Sequence, residues 1–143
     1  NLFLNVMPRK KESANASDRI SSYPDLSKAL KQCAGLRKKF LPYFLDGTLI
    51  GDCILSEPCP ATHITAYVLP DRALMILINQ GGSRKVSFAC DLAPWVKSSG
   101  GYEARAFDED GKLLGTSKTG SEWHAETKAL QSGEMVVFEI KGS

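Results

Sequence analysis

The chain has 143 residues, enough for one domain that buries on the order of two thirds of the surface its unfolded form exposes. Apolar residues make up 43% and charged residues 24%, the balance of a globular protein rather than of a disordered chain. With 18 basic and 16 acidic residues the net charge is +2, too little to gather nucleic acid or an anionic membrane surface, and no apolar run approaches the roughly 20 residues of a bilayer-spanning helix.

In chain order, Asn1 to Val6 (NLFLNV) reads as a short strand stopped by Met7-Pro8. Arg9 to Ser22 is polar, with Ile20 its one bulky apolar residue, and is expected to be a linker. A start at Asn1 rather than Met leads us to expect an excised piece of a longer polypeptide. Pro24 and Asp25 mark a helix start, because proline loses nothing at the first helical position and a carboxylate favours the N-terminal dipole. Leu26, Ala29, Leu30, Cys33, Leu36, Phe40 and Phe44 follow at spacings of three and four. They predict one amphipathic helix, interrupted or ended near Pro42 and stopped at Gly47. Arg37-Lys38-Lys39 fans round most of the circumference of such a helix and is expected to be solvated.

After Gly47 the pattern becomes extended. The segments Thr48–Leu55, Thr62–Leu69, Ala73–Gln80, Lys85–Cys90, Tyr102–Phe107, Lys112–Ser117, Glu122–Thr127 and Glu134–Lys141 favour strands, separated by the turn signals SEPCP, LPDR, NQGG, SSGG, DEDG, KTGS and QSGE. Regular short strands of this kind predict a mainly β fold: an antiparallel β-sandwich preceded by the helix. Pro70-Asp71 suits a type I turn between the second and third strands, and Asp110-Gly111 a tight hairpin. The unbroken run Leu74 to Ile78 predicts a strand buried on both faces at the centre of a sheet. Gly81-Gly82 beyond it is read as a hairpin turn rather than a phosphate loop, because SRKVSFACDL alternates like a strand and supplies no helix N-terminus.

No constellation in the chain names a reaction, and no residue is assigned to catalysis, a cofactor or a metal. AFDEDGKLLGTS, framed as an EF-hand with Gly111 at the sixth position, puts Ser117 where the bidentate glutamate belongs, so it is a turn. Cys53, Cys59 and His63 have no common zinc spacing. The four cysteines, Cys33, Cys53, Cys59 and Cys90, allow two disulfides or none, and their apolar neighbours make small buried thiols the expectation. His124 lies in a strand with Glu122 and Glu126 on its face and reads as surface. Trp95, Tyr102 and Trp123 are the candidate carbohydrate-contacting residues, because flat rings stack on pyranose faces; Trp95, after Pro94, also suits a plug at the end of a core.

The motifs ALMILINQGG, VSFACDL, GYEARAFD, DGKLLG and SGEMVVFEI, in that order, resemble the C-terminal β-sandwich domain appended to the catalytic barrel of many glycoside hydrolases, notably α-galactosidase-like enzymes. The helix with FLPYFLDGTLIGD resembles the segment that links a final barrel helix to such a domain, and NLFLNVMP is similar to a last barrel strand of fucosidase-type enzymes. The resemblance implies a lead-in over residues 1–47, a sandwich over 48–143, and a non-catalytic accessory role against the catalytic domain of the same chain. It carries over no catalytic residue, because the carboxylate pair of such enzymes lies on the barrel.

Overall fold

The computed structural model describes residues 20–143, so the expected strand Asn1–Val6 and most of the linker lie outside the described residues. A 3-10 turn, Ile20–Ser22, leads into α1 (Pro24–Lys39) and α2 (Leu41–Leu45). Eight strands follow: β1 (Thr48–Gly51), β2 (Thr62–Leu69), β3 (Arg72–Asn79), β4 (Ser87–Asp91), β5 (Tyr102–Phe107), β6 (Leu113–Thr119), β7 (Glu122–Glu126) and β8 (Met135–Gly142). All pairings are antiparallel. One sheet has the order β1-β2-β3-β8-β5-β6, and a two-stranded sheet pairs β4 with β7. The fold is mainly β, in two facing sheets with helices at the start, as the sequence predicts.

β3 holds the layers together. Its side chains alternate, so Ala73, Met75 and Leu77 enter the core between the sheets while Leu74 and Ile76 enter a second core under the helices. In the inter-sheet core, Phe88 of β4, Trp123 of β7 and Phe138 of β8 meet edge to face with centroids 5.1 to 5.3 Å apart. In the helical core, Leu36, Phe40 and Tyr43 cover Ile76, Phe107 and Val137, with Phe40 and Phe107 5.3 Å apart. The Tyr43 hydroxyl donates to Glu139 Oε1 at 3.0 Å; burial first, then the carboxylate, holds it protonated well above the usual range.

The predicted helix is divided at Phe40, whose N–H still bonds to Leu36 O, while Pro42 in the first turn of α2 has no N–H to give. Gly47 ends α2 because the Tyr43 carbonyl lies where a β-carbon would sit, at 2.3 Å. The expected run Thr48–Leu55 is split too: β1 ends at Gly51, and Leu55 bridges instead to Cys90 in β4. Both predicted hairpins form, β2–β3 with Leu69 opposite Arg72, and β5–β6 with Gly111 at a φ of +76°.

Gly81-Gly82 is not a hairpin turn. β3 pairs with β2 and β8, so the segment crosses to the other sheet, and Asn79 organises the crossing. Fully buried, Asn79 donates through Nδ2 to the carbonyls of Gly82, Leu130 and Gln131 at 2.9 to 3.2 Å and accepts at Oδ1 from Gly81 N and Arg84 Nε at 3.1 and 3.2 Å. Arg84 extends the network to the carbonyls of Pro60 and Ala61.

Leu77→Ala and Leu74→Ala, one for each core, are each expected to cost about 2–5 kcal/mol in urea unfolding. Asn79→Asp would point a carboxylate at three carbonyl oxygens, raising its folded pKa above the unfolded value. Its deficit in stability should therefore be full above the folded pKa and shrink as pH falls toward the unfolded one, where a protonated oxygen can donate.

Candidate functional site

Of the candidate sugar-contacting aromatics, two leave the surface. Trp123 faces inward from β7 at 4% exposure, and Tyr102 from β5 at 7%, its hydroxyl donating to Val96 O at 3.1 Å. Strand parity decides this: Trp123 shares its face with Ala125, and both point at the six-stranded sheet. Trp95 alone is half-buried. It sits in the turn after β4, where Trp95 N and Val96 N both donate to Leu92 O, between the fully buried side chains of Leu92 and Val96.

The same parity turns the alternate residues of the small sheet outward. Ser87 pairs with Glu126, Ala89 with His124 and Asp91 with Glu122, so His124 does share its exposed face with two carboxylates. Lys85 Nζ lies 2.9 Å from Glu126 and holds that carboxyl below its ordinary pKa. At the opposite end, Asp91 Oδ1 accepts from Ala93 N at 3.2 Å. There, a hollow of about 530 Å³ is lined by Leu55, Glu57, Asp91, Trp95, Glu122 and His124, among others.

Among the described residues no group of three His, Cys, Asp or Glu side chains is placed to hold a metal ion. His63 Nε2 lies 3.2 Å from Thr65 Oγ1, and the Cys59 thiol is directed at Ser87 O at 3.5 Å. All four cysteines are free thiols, but of the four expected to be buried only Cys90 is: Cys33 and Cys59 are half-buried, and Cys53 is exposed beyond the end of β1. Cys90 is buried 3.8 Å from the Met75 sulfur, and burial pushes its pKa up to about 12.

A second surface lies on α1. Its apolar stripe, Leu26, Leu30, Cys33 and Leu36, enters the helical core at Leu36 but leaves Leu26 51% exposed, with Tyr23 at 53% just ahead of the helix. Of the basic run expected to be solvated, Lys38 and Lys39 are exposed and Arg37 is half-buried. Lys39 Nζ lies 4.1 Å from the Phe107 ring centroid and donates to Gly111 O, while the Arg37 guanidinium lies 5.6 Å from the Phe44 centroid. With Gln32 bonded to Glu109 and Asp110 at 3.2 and 2.9 Å, the Lys39 contacts fix the C-terminal half of α1 against the β5–β6 hairpin. Helical spacing reveals the stripe but not where along it the covering sheet stops.

No protein-family model matches the chain, and no curated protein matches it. Among solved structures, a GH30 endoxylanase from Clostridium papyrosolvens C71 is similar at 17% identity and a TM-score of 0.43, over 61% of this chain and 22% of that one. The chain thus spans about a fifth of that enzyme's length.

Thiol labelling of the native protein should modify Cys53 first, whereas Cys90 should stay unmodified until denaturant unfolds the inter-sheet core. Mass mapping of labelled peptides along a denaturant series checks the order.

Proposed function

We propose that this chain is a non-catalytic accessory domain of a larger glycoside hydrolase, and that it binds the catalytic domain of its own polypeptide through the exposed half of α1. The observation that carries this reading is the stripe that outruns its sheet. Ile20, Tyr23 and Leu26 remain exposed at the N-terminal end of a helix whose other end is buried. The 3-10 turn Ile20–Ser22, where the described residues begin, lies at this same end of α1. The enzyme class rests on the run of motifs from ALMILINQGG to SGEMVVFEI. The lead-in over residues 1–47 then contributes α1 and α2 to the same folded unit as the sandwich over 48–143, and that unit braces the barrel.

The surface makes little contribution to the isolated domain, so Leu26→Asp should change the unfolding free energy of the 143-residue chain by less than about 0.5 kcal/mol. Hydrogen exchange at residues 20–32 should slow by about tenfold or more when the chain is produced with its native upstream coding sequence, and Leu26→Asp should abolish that protection. Equal exchange in the short and long chains, or an upstream sequence without a barrel and its carboxylate pair, would overturn the reading.

A further inference from the structure

We infer that the hollow at the Trp95 end of the small sheet is a binding site for a neutral glycan. This inference is independent of the accessory role, because it concerns β4 and β7 and makes no use of α1.

The hollow joins an apolar wall to polar groups that have no partner within the fold. Trp95, Pro94 and Leu55 form the wall. The Trp95 ring is carried on a turn fixed by two backbone bonds to Leu92 O and by the burial of Leu92 and Val96, so little freedom would be lost on stacking a pyranose ring against it. Facing it are Asp91 and Glu122, register partners whose β-carbons are about 5 Å apart, as cross-strand pairs are. One Asp91 oxygen is used by Ala93 N. Its other oxygen, the Glu122 carboxylate, the His124 ring and the Trp95 Nε1–H make no bond to any other described residue. Acceptors and a donor thus belong to residues that line the same hollow as an aromatic ring, the combination that matches a sugar, whose ring face is apolar and whose edge carries hydroxyls.

Charge narrows the class. Glu57, Asp91 and Glu122 line the hollow, and no lysine or arginine does. A uronate or sulfated chain would bring like charge against carboxylates with no cation to offset it, whereas the hydroxyls of a neutral pyranose can donate to them. The central residue of the face is Ala89, small enough to leave the floor open toward a second hollow of about 440 Å³ that shares Glu57, Ala89 and His124. The site therefore suits more than one sugar unit, laid along the strands.

Titration calorimetry of the 143-residue chain with cellohexaose, xylohexaose, mannohexaose and hexagalacturonate tests the proposal. At least one neutral hexaose should bind, and hexagalacturonate should not. Trp95→Ala should weaken the binding about tenfold. Because Trp95 also packs on the core, Glu122→Gln and Asp91→Asn, which alter exposed side chains, provide the same reading without disturbing the packing. Each should weaken binding severalfold with an unchanged melting temperature. No binding of any neutral hexaose at millimolar concentration, affinity unchanged in both carboxamide variants, or preferential binding of hexagalacturonate would overturn it.

Discussion

The burial of β3 on both of its faces is the constraint from which the rest of the architecture follows. A strand with Leu74 and Ile76 on one side and Met75 and Leu77 on the other cannot lie at the surface of a two-layer sandwich. It requires a third layer, and α1 and α2 supply it. The helices are thus part of the folded unit rather than an attachment to it. Their contact with the sheet is also specific: Tyr43 meets Glu139, Phe40 meets Phe107 and Lys39 lies over the same ring. Apolar burial is the dominant favourable term in folding, and a sheet with only one covered face would leave its most apolar strand partly wet.

The second element of order is polar. Asn79 lies at the point where the chain leaves the large sheet for the small one, and a connection between sheets must bury backbone groups that no ladder satisfies. One carboxamide meets four such backbone groups from two loops and holds the Arg84 side chain, which extends the tie to Pro60 and Ala61. Leu130 O and Gln131 O also accept from Arg84 N and Glu134 N, but a hydrophobic residue of the same size would take from Gly82 O and Gly81 N the partner Asn79 gives them, each at a cost of about 1–3 kcal/mol where the group stays buried.

Much of this is legible in the sequence, and the exceptions share one cause. Period-two alternation marks the strands, Pro70-Asp71 and Asp110-Gly111 mark the hairpins, and five apolar residues in succession mark β3 as central. What local pattern cannot specify is which strands pair. Gly81-Gly82 has the composition of a hairpin turn but performs a crossing, because β3 finds its second neighbour in β8 near the end of the chain. Trp123 and Tyr102 are misplaced as surface rings for the same reason. Alternation tells that Trp123 and His124 face opposite ways, but only the packing of β7 over Phe138 decides which of them is inside. Trp95 kept its accessible position because it lies in a turn, where no sheet face claims it.

The two surfaces proposed to act are where the layers fail to match in extent. Two strands face six, so the outer face of the small sheet remains narrow, and the residues that flank it, from the turn after β4 and from Leu55 to Glu57, rise at its borders and make a hollow of what would otherwise be flat. On the opposite side, the same α1 stripe that packs at Leu36 is bare at Leu26. Helical periodicity selects for burial without stating against what. The exposed half of α1 therefore carries the apolar spacing of a core helix beyond the point where its own sheet covers it, and the proposed interface rests on that mismatch.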